Sequence, residues 1–122
     1  MNRTVEISKV FDFDAAHWLP NVPEGHKCKR MHGHTYRVEV RVKGQLDHRG
    51  FVADYAELAE WMAPVIDALD HRTLNEVRGL DNPTTEVLVW WIWDQLRGLD
   101  GLCAVRVYES ATTWAEAKPP CS

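Results

Sequence analysis

Cysteine is scarce in this chain. Its 122 residues contain three, Cys28, Cys103 and Cys121, an odd number with no paired spacing. That pattern argues against a disulfide scaffold and points to a reducing compartment, with the cytoplasm as default. Long apolar runs are missing too, and none approaches the ~20 residues a membrane-crossing helix needs. The N-terminal stretch MNRTVEISKVFDFD mixes charge with alternation and lacks the apolar centre of a signal peptide. An excess of positive charge is also lacking. With 14 Lys and Arg against 18 Asp and Glu, the net charge of −4 leaves no dominant basic face for nucleic acid. No repeat, low-complexity segment or linker divides the chain. A hydrophobic content of 45% is enough for one core, so residues 1–122 are read as one domain.

Histidine and tryptophan, six of each, are plentiful. The tryptophans read mostly as core. The histidines need the element pattern. Residues 4–17 alternate as a strand, with Val5, Ile7, Phe11, Phe13, Ala15 and His17 on one parity and Lys9 as the exception. Residues 18–31, with two prolines and a glycine, read as a long ordered loop of the kind that often carries function. Residues 32–43 form the clearest strand, with Tyr36, Val38, Val40 and Val42 facing one way and Thr35, Arg37, Glu39, Arg41 and Lys43 the other.

After a turn-rich GQLDHRG, Asp54 and Glu57 suggest a capping box opening a helix. Its buried stripe is Leu58, Trp61, Met62, Val65, Ile66 and Leu69, and Pro64 should kink or divide it. A second helix is expected to open at Asn82-Pro83 with proline as its first residue, and its run EVLVWWIWDQL to be covered on more than one side. Gly98 and Gly101 bracket its end. Residues 102–109 and the TTWAEA segment are the last two strands. The order ββααββ implies an α+β fold, an antiparallel four-stranded sheet with two helices on one face. The other face has no spare element to cover it, and an uncovered apolar sheet face invites association.

His32 and His34, two apart on a strand, project to the same side as Tyr36 and the valines. His17 ends the apolar parity of the first strand. If these strands pair, three imidazoles meet at one end of the buried face. A single histidine there would be an ordinary core residue; three suggest a metal. Imidazole donors suit zinc, copper, nickel or iron, and zinc is favoured for a non-redox enzyme. Three protein ligands leave a coordination position open, as a catalytic zinc requires. Cys28 could close the site as a fourth ligand, or stand beside it as a thiolate among Lys27, Lys29 and Arg30. Asp70 and His71 are adjacent, so they can pair only if the chain leaves helical geometry there. Glu109 ends the Val105 and Val107 face as a carboxylate able to take two N–H groups of a guanidine-like edge.

The stretches FDAAHWLP, PEGHKCKRMHGHTY, LDHRTLN, NPTTE and YES together resemble the 6-pyruvoyl-tetrahydropterin synthase superfamily. The Cys-x-x-x-His-Gly-His spacing is most similar to its 6-carboxytetrahydropterin synthase branch. The resemblance implies the tunnelling fold, in which sheets of several subunits close a barrel with active sites near subunit interfaces. It implies His17, His32 and His34 as zinc ligands, Cys28 as catalytic thiol, and Asp70 with His71 as a proton-exchanging pair. It implies Glu109 as the pterin anchor, with Thr84 and Thr85 nearby; Lys27, Lys29 and Arg30 either meet the triphosphate or form a solvated loop surface. The implied reaction converts 7,8-dihydroneopterin triphosphate to 6-carboxy-5,6,7,8-tetrahydropterin, acetaldehyde and triphosphate, in queuosine and other deazapurine biosynthesis. A pyruvoyl-type or promiscuous pterin lyase, and a non-catalytic metal- or pterin-binding module, are the alternatives.

Overall fold

The computed structural model describes residues 3–120. Alternating β-branched and aromatic residues make two long strands, β1 (Val5–His17) and β2 (His32–Gly44). They pair antiparallel without a slip, from Val5 opposite Gly44 to His17 opposite His32. Helix α1 (Tyr55–Leu69) follows. Asp54 caps it by accepting from the Ala56 N–H at 2.9 Å, whereas the Glu57 carboxylate lies 3.6 Å from Arg49, so the reciprocal half of the expected capping box is absent among the described residues. Pro64 does not end the helix. It stands on the exposed side, as does Glu60 one turn back, where water can serve the carbonyl left without a donor. The buried stripe is Leu58, Met62, Val65 and Leu69; Trp61, expected inside, is 37% exposed.

The chain then makes β3 (Arg72–Thr73), which pairs parallel to β1 and was not expected. Helix α2 (Thr85–Gln95) starts later than the proline pattern suggested. Thr84 is its cap, accepting from the Val87 N–H at 3.1 Å, and Pro83 lies just outside with its carbonyl free for other use. The helix is less covered than expected: Leu88, Val89 and Ile92 are buried but Trp90 is 48% exposed. Strands β4 (Leu102–Tyr108) and β5 (Trp114–Ala117) complete the sheet in the order β3-β1-β2-β4-β5, five strands rather than four.

Both helices lie on one sheet face. Phe13, Tyr36, Val38, Val40, Val105 and Val107 pack there with Met62, Val65, Leu69, Leu88 and Ile92. Each such fully buried aliphatic side chain is worth about 1.5–3 kcal/mol. The opposite face is not the apolar surface expected. Alternation places Arg37 3.3 Å from Asp12, Arg41 3.3 Å from Glu39, and Glu116 against Arg41, Arg106 (2.9 Å) and Lys118 (3.2 Å). The Arg106 guanidinium stacks 3.9 Å from the Trp114 ring. The sheet is open, and no helix among the described residues is long and apolar enough to cross a membrane.

Candidate active site and metal centre

The β1–β2 register brings His17 opposite His32 and Ala15 opposite His34, so the three imidazoles share the inward face at the open end of the core. One ring nitrogen from each lies within 4.8 Å of the others. His17 is 1% exposed. Its Nδ1 is 2.9 Å from the Pro83 carbonyl, which can only accept, so that nitrogen carries the proton. His32 Nδ1 is likewise 2.7 Å from the Arg30 carbonyl. In the neutral rings both Nε2 atoms therefore present lone pairs, and these face each other at 3.0 Å. Two lone pairs so close repel unless a cation lies beside both.

His34 Nε2 is buried without a hydrogen-bond partner, 3.2 Å from Glu109 Oε1. Burial lowers the pKa of His17 and of His34, against the opposing pull of the Pro83 carbonyl on one and of Glu109 on the other. Both shifts favour the neutral rings, and the His34–Glu109 contact is an ion pair only when His34 is protonated. Neutral imidazoles with outward N–H groups held by carbonyls are the donor set a zinc ion takes. The residues present fit such an ion.

Glu109 is held from its other side, where Thr85 Oγ1 donates to Oε2 at 2.7 Å. The Tyr36 hydroxyl lies 3.3 Å from His17 Nδ1, its pKa raised by burial and by Glu109. The pattern of residues 32–42 places Tyr36 on this face, and its contact with His17 follows from strand pairing that alternation does not encode. The roles of the Pro83 and Arg30 carbonyls left no trace in side-chain patterns at all.

Cys28 sits in a single 3₁₀ turn, Lys27–Lys29, and the group of converging ligand atoms is the three imidazoles without it. Lys29 is committed to its own loop, its Nζ 3.2 Å from the Val22 carbonyl and 3.0 Å from Glu24. Lys27 and Arg30 are exposed, with no ion pair among the described residues. Thr84 serves as the α2 cap.

Asp70 and His71 form their own constellation. Asp70 caps the end of α1, and its Oδ1 accepts from the Asp14 N–H at 3.0 Å. His71 leaves helical geometry with φ 58°, which brings its Nδ1 3.0 Å from Asp70 Oδ2. The Asp14 N–H and then His71 hold the Asp70 carboxyl below its ordinary range. The Asp14 N–H and the edge pairing of β3 place this pair at the β1 edge of the sheet, next to Phe11, Met62 and Ile66. Residues Gly33, His34, Thr35, His71 and Thr73 line an open cleft of about 520 Å³ between the two groups. No hydrogen bond among the described residues joins Asp70 or His71 to Cys28 or to the three histidines.

A profile of the family described as 6-pyruvoyl tetrahydropterin synthase matches residues 6–120. The chain belongs to this family. It is 39% identical over 122 residues to the 6-carboxy-5,6,7,8-tetrahydropterin synthase of Synechocystis sp., covering 93% of each chain. It is also 39% identical over 85 residues to the dihydroneopterin monophosphate aldolase of Pyrococcus furiosus, covering 70% of this chain and 68% of that one. The solved 6-pyruvoyl tetrahydropterin synthase of Caenorhabditis elegans superposes with a TM-score of 0.87 at 26% identity, over 98% of both chains. The fold is the tunnelling fold of the family, and the chain is an enzyme, a lyase of pterin chemistry.

Proposed function

We propose that the chain is a zinc-dependent 6-carboxy-5,6,7,8-tetrahydropterin synthase. With one water it cleaves the side chain of 7,8-dihydroneopterin triphosphate, leaving a carboxyl on the ring and releasing acetaldehyde and triphosphate, and its product feeds deazapurine biosynthesis such as that of queuosine. The observation that carries this reading is the convergence of three imidazoles, two of which (His17 and His32) spend their outer N–H groups on main-chain carbonyls, with a thiol close by in sequence but outside the cluster. His17, His32 and His34 would hold the ion. When bound, zinc supplies Lewis acidity that makes the side-chain hydroxyls of a pterin easier to deprotonate.

The protein's groups do the rest. Glu109, oriented by Thr85 on Oε2, accepts the ring N–H and exocyclic amine of the pterin and fixes its orientation. Cys28, as thiolate, moves a proton on the substrate side chain. His71 exchanges another at Nε2, because Asp70 holds Nδ1. Lys27 faces the triphosphate. His71 is 79% exposed and stands at the sheet edge without a hydrogen bond to the imidazoles or Cys28 among the described residues, which supports a site assembled near the interface of identical subunits. Free thiol chemistry at Cys28 suits a reducing compartment, the cytoplasm.

The likeness to an aldolase favours a second reading. Retro-aldol cleavage of the same carbon–carbon bond would leave a hydroxymethyl group on the ring and release a phosphorylated glycolaldehyde instead. Incubating the zinc-loaded protein with dihydroneopterin triphosphate and identifying the products separates them. Acetaldehyde with triphosphate is expected. Glycolaldehyde triphosphate would establish the aldolase reading, triphosphate alone a pyruvoyl-type synthase, and no turnover a binding module.

A further inference from the structure

His26 takes no part in the constellation described so far, yet it holds Cys28. The 3₁₀ turn Lys27–Lys29 is capped by the His26 side chain, whose Nδ1 accepts from the Cys28 N–H at 3.0 Å. Imidazole is an uncommon cap, since Ser, Thr, Asp and Asn are the residues chosen for that task alone. The backbone of Cys28 is also held from the far side, its carbonyl accepting from the Leu19 N–H at 2.8 Å. Leu19 lies two residues beyond His17. Arg30, two residues before His32, closes the turn by donating to the Lys27 carbonyl at 3.2 Å while its own carbonyl accepts from His32 Nδ1. The turn is therefore strung between two of the imidazole-bearing strand ends. The Lys27–Cys28 peptide is held on its carbonyl side by Arg30, and the His26 ring is the restraint on its N–H side.

We propose that His26 is a positioning residue that fixes the thiol of Cys28 relative to the three-imidazole centre. The inference rests on the reading of Cys28 as the group that acts on substrate. Without the cap the Lys27–Cys28 peptide is held from its carbonyl side alone, and the sulfur samples positions away from the substrate more often. The ion's ligands are untouched, and so is the pterin anchor.

The test uses the zinc-loaded chain with His26→Ala and His26→Asn. Asparagine keeps an oxygen able to cap the turn but has no ring to exchange protons. Three quantities are read: hydrogen exchange of the Cys28 amide, kcat and KM separately for dihydroneopterin triphosphate, and zinc per chain. In His26→Ala the Cys28 amide should exchange roughly tenfold faster, as loss of a cap implies. Its kcat should fall roughly ten- to a hundredfold, the usual effect of a misplaced catalytic group, with KM and zinc content little changed. His26→Asn should recover most of both losses. Unchanged amide exchange in His26→Ala overturns the inference. Recovered protection without recovered kcat in His26→Asn also overturns it, because the ring itself would then be doing chemistry. If the parent chain does not turn the substrate over, the lyase reading fails by that result, and the exchange data still decide whether His26 holds Cys28.

Discussion

At the scale of single residues, the decisive facts are which lone pairs are already spoken for. Parity in β1 and β2 put His17, His32 and His34 on one face from sequence alone, because a period of two leaves a strand residue little choice. What parity could not supply is the protonated nitrogen of each ring. That depends on the Pro83 carbonyl, 66 residues from His17, and a main-chain acceptor leaves no mark in sequence. Glu109 was legible as a carboxylate ending an apolar face; its hold by Thr85 and its approach to His34 were not. Glu109→Gln tests the anchor. It keeps the shape, replaces one acceptor by a donor, and should weaken binding of a non-reactive pterin by about ten- to a hundredfold, a cost of roughly 1.5–3 kcal/mol. Zinc content should stay at the parental level. Calorimetric titration measures the affinity, and parental affinity in the variant would remove Glu109 from the pterin site.

At the scale of elements, the sequence spoke clearly where periodicity is long and poorly where a single residue decides an end. The stripe Leu58, Met62, Val65 and Leu69 runs through Pro64 because the proline faces solvent. The start of α2 was misplaced because Thr84 offers a side-chain cap and Pro83 does not. Strand β3 has two residues, too few to show alternation. The end of α1 bears on function, since His71 with φ 58° adopts a left-handed conformation unfavourable by about 1–2 kcal/mol for a residue with a Cβ. Such strain is kept where function demands it. His71→Gly should relieve it. Thermal unfolding should show unchanged or slightly raised stability, by about 1 kcal/mol at most, after the greater unfolded-state entropy of glycine is counted. Turnover should fall about 10²–10⁴-fold with loss of the proton-transferring ring. A variant less stable by more than about 1 kcal/mol would make His71 a structural residue.

At the scale of the whole molecule, the uncovered sheet face carries charge where an apolar surface was expected. An apolar face would drive association by itself; this one satisfies its charges in pairs within the chain. Glu116 is its centre, with a side chain 7% exposed. Burial pushes its carboxyl up, but Arg106, Lys118 and Arg41 together outweigh that and leave it below the ordinary value of 4.5. A depressed folded-state pKa stabilises the fold above the unfolded value, and this share is lost as pH falls through the folded one. Denaturant unfolding of the parent should therefore weaken below about pH 4.5. Glu116→Gln should be less stable by about 1–2 kcal/mol at pH 7 and show a shallower acid limb. An acid limb identical to the parent's would show that other carboxylates control it. The central claim for the molecule is a metal held by His17, His32 and His34 with the Cys28 sulfur left free for substrate. Zinc-edge X-ray absorption of the zinc-loaded chain tests it most directly. Expected is a shell of nitrogen and oxygen neighbours at about 2.0–2.1 Å and no sulfur; a sulfur neighbour at about 2.3 Å would make Cys28 a ligand and contradict the site proposed for this enzyme.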